Sequence, residues 1–277
     1  MAKVTRQINA QHTRDGDGVL IQRSIGSHQL SEHDPFLLLD EIRSDDSADY
    51  IGGFPPHPHR GFETVTYMLD GRMRHRDSQG NNGVIEPGGV QWMTAGKGIL
   101  HSEMPEQTEG RLWGFQLWIN LAAAEKMREP RYQELTADQI PELSPSNGVL
   151  VRLIAGSLNG VKGPVTGISS HPMLADVQME EDAHARIDIP KGYNSVLYVY
   201  QGSLMVRDVV VASQQLAVLS DGGGVTVEAS TEGARALLIS AHPMNEPVAR
   251  YGPFVMNTRA EIQQAVNDLN SGAFGRM

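Results

Sequence analysis

The sequence predicts an all-β chain made of two copies of an antiparallel sandwich or barrel. Three observations carry this. Glycine and proline number 29 and 15 among 277 residues, a supply of turn formers that suits many short strands. Runs rich in β-branched and aromatic residues recur and close on turn signals, which is the pattern of an antiparallel sandwich or barrel. Two such runs, 62–69 ending at Asp70-Gly71 and 195–200 ending at Gln201-Gly202, fall in different halves. A duplicated barrel, one copy with a polar site and one without, accounts for this.

The elements follow in order. Residues 18–23 read as a short strand after a Gly/Asp turn, and 35–40 as an apolar run of strand length. The run 62–69 stops at Asp-Gly, a strong hairpin signal. Further turns fall at Asn82-Gly83 and Pro87-Gly88-Gly89, and residues 91–94 and 113–119 read as strands, with Trp113 and Phe115 in the core. Residues 122–145 are charged and less β-like; 122–128 allow one or two helical turns, and Pro130 and Pro141 limit anything longer. The domain boundary is expected here, giving domains at 1–130 and 145–250. Strands return at 149–154, 195–200, 217–219 and 236–240. In the tail, 251–277, Thr258 and Glu261 have the spacing of a capping box. Ile262, Val266 and Leu269 follow at helical spacing, so a short helix is expected to stop near Ser271-Gly272.

Composition narrows the function. Hydrophobic residues make up 40%, a globular value. Lys and Arg number 23 against 33 Asp and Glu, a formal charge of −10. A nucleic-acid binder carries a basic face that displaces counterions from phosphates, so direct nucleic-acid binding is not expected. Cysteine is absent, which excludes disulfides, thiolate catalysis and cysteine-ligated zinc or iron–sulfur centres. The first residues lack the apolar stretch of a signal peptide, and no window approaches the run of about 18 apolar residues of a membrane span. The expectation is a soluble cytoplasmic protein without membrane contact, with the nucleus open as well if the source is eukaryotic.

The chemistry concentrates in two short segments. In His57-Pro58-His59, side chains at i and i+2 of a strand point to one face, so both imidazoles converge. Proline is tolerated there at a strand edge or start. His101-Ser102-Glu103 repeats the arrangement. If the two segments adjoin, three imidazoles and one carboxylate face one centre. That mixture suits iron, copper, nickel, manganese or zinc better than calcium or magnesium, and four protein ligands leave two positions of an octahedral ion open. Glu63 is the rival carboxylate. It stands about 13 Å along a straight strand from His59 and needs a bend at Arg60-Gly61 to reach the same ion, whereas Glu103 needs none. The spacing therefore favours Glu103 as ligand, with Glu63 behind it or in the pocket wall.

Long stretches of the chain resemble the pirin family of the cupin superfamily: Phe54-Pro-Pro-His-Pro-His-Arg-Gly-Phe-Glu-Thr-Val-Thr-Tyr, Gln91-Trp-Met-Thr-Ala-Gly-Lys-Gly-Ile-Leu-His-Ser-Glu-Met-Pro, and His75-Arg-Asp-Ser-Gln-Gly-Asn between them. Asp34-Pro-Phe-Leu-Leu-Leu-Asp, Asn245-Glu-Pro-Val and Gly252-Pro-Phe-Val-Met-Asn-Thr match too. The resemblance implies two tandem cupin (double-stranded β-helix) barrels. It implies iron held in the N-terminal one by His57, His59, His101 and Glu103, and no metal in the C-terminal one. Fe(II) is the ion so implied, with Mn, Ni, Cu, Zn and Co as alternatives. The resemblance leans towards a monomer.

It also implies candidate activities. Some members are similar to quercetin 2,3-dioxygenases, which open the central ring of a flavonol with O₂ and release carbon monoxide. Others are described as redox-sensing nuclear cofactors of transcription or as regulators of metabolic enzymes, which would engage a protein partner. The expectation is an iron-dependent dioxygenase in which the metal lowers the pKa of the flavonol 3-hydroxyl and Glu103 accepts its proton. A regulatory iron protein without turnover is the alternative. A cupin isomerase ranks lowest, since no glycine-rich phosphate loop opens a helix. Glu63, His75 and Asp77 are candidates to orient the ligands, and Phe54, Trp92, Met93 and Trp118 to line an apolar pocket.

Overall fold

The computed structural model describes residues 1–275 and 277; Arg276, inside the expected tail, lies outside the described residues. The described residues are mostly strand, with one α-helix, Arg259–Asn270. It divides into two compact units, each drawn from several stretches. The sheets of both are jelly-roll-like rather than closed barrels. No helix among the described residues is long and apolar enough to cross a membrane.

One unit comprises Met1–Ala10, His28–Pro35 and Asp138–Pro243. Its first strand, Val4–Asn9, pairs with Gln215–Leu219 and so joins the sheet of the second half. Two long strands, Asn194–Val206 and Val225–Ala241, organise that sheet. Val225–Ala241 pairs with His184–Ile187 near its start and with Met173–Met179 near its end. The sheet surrounds an aliphatic core that includes Val151, Leu153, Val177, Leu197, Val199 and Leu238.

The other unit comprises Gln11–Ser27, Phe36–Ala137 and Met244–Met277. It has a seven-stranded sheet in the order Arg131–Leu135, Val90–Thr94, Phe62–Asp70, Leu112–Asn120, Phe36–Ser44, Val19–Ile25 and Gln11–Asp15. A four-stranded sheet follows the order Phe54–His59, Ile99–Pro105, Met73–Asp77, Asn82–Ile85. The expected helical turns after 122 shrink to the 3₁₀ turn Ala123–Glu125. The tail helix forms with its capping box intact: the Glu261 amide donates to Thr258 Oγ1, and the Thr258 amide donates to Glu261 Oε2.

The chain turns sharply from one sheet to the other at Gly61. Its φ is +87°, and a Cβ there would stand 2.0 Å from the Val255 carbonyl oxygen, so only glycine fits. The tail is fastened at this turn. Arg60 N–H donates to the Pro253 carbonyl, Val255 N–H to the Arg60 carbonyl, and the Arg60 guanidinium pairs with Asp268 at 2.8 Å. Lys126 is 1% exposed. Its ammonium donates to the Gly61 carbonyl (2.7 Å), Asn120 Oδ1 (2.6 Å) and the Val255 carbonyl (3.0 Å). Burial pulls the ammonium down to about 8, and three oxygen acceptors compensate for the loss of water. Replacing Lys126 by Ala strands those acceptors. The variant is expected to lose about 3 kcal/mol, read as a lower urea midpoint at unchanged m-value.

Candidate metal centre

The two ligand-bearing segments are adjacent strands of the four-stranded sheet. Phe54–His59 and Ile99–Pro105 run antiparallel, with His101 directly opposite His57 and Ile99 opposite His59. Alternation puts His57 and His59 on one face, and cross-strand pairing adds His101 to it. Their ligand nitrogens lie within 4.8 Å of one another. A bulge between His101 and Glu103 shifts the register, so that Glu103 faces Phe54.

Burial keeps two of the three histidines, His59 and His101, neutral. His57 Nδ1 lies 2.8 Å from the Pro55 carbonyl oxygen; a carbonyl only accepts, so Nδ1 carries a proton and Nε2 is the nitrogen left for the cluster. His57 Nε2 stands 3.0 Å from His59 Nε2. His101 is 1% exposed, and neither of its ring nitrogens has a hydrogen-bond partner. Buried polar atoms are almost always paired, so an unpaired imidazole beside two others fits a metal ion. Burial, and then the neighbouring imidazoles, hold His59 and His101 well below the usual histidine range. Trp118 stands edge-on to His59 at 5.1 Å between centroids.

Glu103 is 2% exposed. Thr66 Oγ1 donates to its Oε1 (2.6 Å) and Gln116 Nε2 to its Oε2 (2.7 Å). Both donors come from the seven-stranded sheet facing the histidines. Glu103 lines the same cavity as His57 and His59, a space of about 520 Å³ whose apolar wall includes Ile21, Leu38, Ile42, Phe54 and Trp118.

The remaining candidates divide. Phe54 lines the cavity. The His75 ring is 5.3 Å from that of His101; its Nε2 lies 3.0 Å from the Tyr132 hydroxyl, which donates to Met93 Sδ at 2.9 Å. Asp77 closes its own turn, accepting from the Gln79 and Asn81 amides. Glu63 and Trp92 do not line the cavity that His57 and His59 line. The bend at Gly61 does occur, but Glu63 is three residues from Thr66 in the same strand and points to the opposite face. There it accepts from Thr94 Oγ1 (2.6 Å) and from Trp92 Nε1 (3.2 Å). Trp113 and Phe115 are core, as expected. Sequence reasoning missed Thr66, Gln116, Tyr132, Arg23 and Asp40. Only strand alternation hints at them, and it does not tell which strands will face one another.

Family models match both halves: Pirin over residues 18–119 and the Pirin C-terminal cupin domain over 174–275. The chain belongs to the pirin family. It is 47% identical over 272 residues to a pirin-like protein of Caulobacter vibrioides, covering 98% of each chain. It is 41% identical to human pirin, covering 99% of this chain and 94% of that one. A crystal structure of quercetin 2,3-dioxygenase from Acinetobacter baumannii superposes with a TM-score of 0.91 at 35% identity over 99% of both chains. The three-histidine cluster that the geometry exposes thus sits in the N-terminal cupin domain of a pirin.

Burial pushes the Glu63 carboxyl up to about 7 from 4.5, against the pull of Thr94 and Trp92. The folded state therefore holds this proton more tightly than the unfolded chain. The stabilisation is complete below about pH 4.5 and is lost as pH rises through about 7. Thermal unfolding across pH 4.5–8 is expected to show wild type falling relative to Glu63→Gln, with the difference levelling off above the upper value.

Proposed function

We propose that this pirin is a metal-dependent dioxygenase that opens the central ring of a flavonol such as quercetin with O₂ and releases carbon monoxide. One observation carries the reading: three clustered imidazoles, one with both nitrogens unpartnered, stand at a partly apolar cavity of about 520 Å³ that His57 and His59 line, a size suited to a flat aromatic ligand. The resemblance of the whole chain to a quercetin 2,3-dioxygenase structure supports it.

His57, His59, His101 and Glu103 would hold one divalent ion, Fe(II) in this reading. When bound, such an ion lowers the pKa of a coordinated hydroxyl and gives redox chemistry access to O₂. The protein's own groups do the rest. Pro55 fixes the His57 tautomer through Nδ1, the backbone partner that ligating histidines commonly have. Thr66 and Gln116 hold the Glu103 carboxylate with one donor on each oxygen, leaving further lone pairs on both. Glu103 accepts the flavonol 3-hydroxyl proton at one of those oxygens. Ile21, Leu38, Ile42, Phe54 and Trp118 flank the ring and displace water from it.

Purified protein loaded with Fe(II) is expected to bleach quercetin in air with release of carbon monoxide. His101→Ala is expected to lose bound iron, read by elemental analysis, and bleaching together. Bleaching by a variant shown to be metal-free, or its absence from wild type with iron bound, overturns the reading.

A further inference from the structure

The wall of the cavity that faces the histidines carries a row of polar side chains, only part of which the proposed chemistry uses. Strand register lines them up across the seven-stranded sheet: Arg23 beside Asp40, Asp40 beside Gln116, Gln116 beside Thr66. Cross-strand partners share a face, and the neighbouring rows on this face are apolar, Ile21 beside Ile42 on one side and Leu38 beside Trp118 on the other. Gln116 and Thr66 hold Glu103. Asp40 and Arg23 touch no candidate ligand, yet both line the cavity.

Asp40 is 5% exposed. It is gripped in two places, by Arg23 Nε on Oδ1 at 2.8 Å and by Arg23 Nη2 on Oδ2 at 2.7 Å, and Nη2 also donates to Asp15 Oδ2 at 2.6 Å. Burying an ion pair costs desolvation that a hydrophobic pair of the same shape would not. A rigid carboxylate kept on the wall of a cavity instead suits recognition of a ligand.

We propose that Asp40, oriented by Arg23, is a substrate-binding and specificity-determining residue that accepts a hydrogen bond from a second hydroxyl of an aromatic substrate whose first oxygen meets the histidine cluster. The proposal rests on the flavonol reading and deepens it. An ionised carboxylate only accepts, with about four lone-pair sites of which Arg23 takes two, so its ligand must be a donor. Two carboxylates, Asp15 and Asp40, flank the Arg23 guanidinium, which disfavours a carboxylate or phosphate in its place. The apolar rows on either side suit a ring. The substrate class is thus a polyhydroxylated flavonol rather than a flavonol bearing only the 3-hydroxyl. A site built to bond a hydroxyl rejects analogues that lack it, and a hydrogen bond to a charged group corresponds to roughly 10- to 100-fold in affinity.

The test is binding under nitrogen, where turnover cannot occur, to Fe(II)-loaded protein, followed by quenching of tryptophan fluorescence. The probes are quercetin and 3-hydroxyflavone, which keeps the 3-hydroxyl and lacks the others. Wild type is expected to prefer quercetin by about 10- to 100-fold. Asp40→Asn, with iron content unchanged, is expected to lose most of that preference while its affinity for 3-hydroxyflavone stays within about twofold. The wild-type ratio stands as a test even if the variant folds poorly. Equal affinity of wild type for both probes, or equal weakening of both in Asp40→Asn, overturns the Asp40 subsite and leaves the flavonol reading in place. Binding of neither probe to iron-loaded wild type overturns both.

Discussion

His57 and His101 face each other across a single antiparallel pair, and much of the candidate site depends on that register. With the two residues opposite, alternation along each strand supplies His59 and Glu103 to the same face. Three imidazoles then stand close together, and burial of His59 and His101 disfavours their protonated forms. Neutral imidazole is the ligating form. Desolvation and crowding thus keep His59 and His101 in the state that a metal requires. A one-residue slip in this pairing would turn one strand's ligands to the other face.

The seven-stranded sheet presents a different buried network on each face, and strand periodicity keeps the two apart. On one face Glu63 collects Thr94 and Trp92, and Trp113 donates to Glu41. On the other, Thr66 and Gln116 reach Glu103 while Arg23 clamps Asp40. The acids are handled differently. Glu63 meets two neutral donors and feels the charges of Arg128 and Arg131 without an ion pair, and desolvation outweighs all of them and favours its protonated form. Burial also pushes Asp40 up, to about 6, against the two hydrogen bonds and the charge of Arg23. Near neutral pH that leaves Asp40 mainly an acceptor, while Glu63 is poised to carry a proton.

The all-β class, the tail helix and the His57–His59 pair on one face were legible because each rests on local spacing: turn residues closing β-rich runs, a capping box, side chains at i and i+2. What escaped depends on contacts distant in sequence. Nothing local says that residues 54–59 pair with 99–105, or that Val4–Asn9 joins Gln215–Leu219. Strand ends were underestimated for a physical reason. Gly202 read as a turn, but the strand continues to Val206 through register shifts on either side of it. The position of Glu63 outside the cavity lining is hidden by the same kind of gap. The bend at Gly61 was visible, but the face onto which the next strand would turn its side chains depends on the sheet it joins.

Arg23 and Asp40 were invisible for a related reason, and their case shows how the cavity acquires its chemistry. In the sequence each is one polar residue in an apolar alternation, Ile21 before Arg23, Leu38 and Ile42 around Asp40, and would pass for a solvent-facing position. Folding puts both inward because the strands that carry them lie in the sheet opposite the histidines. The remaining wall comes from the tail, which brings Arg250, Gly252 and Pro253 to the cavity and sets the Arg250 guanidinium 5.0 Å from the centre of the Trp118 ring, within reach of a cation–π contact. The tail is fastened through Arg60 and Lys126, at the residues that follow His59. The fixtures that place the three-histidine edge and those that close the cavity over it are therefore the same, and a change that loosens the tail should disturb both.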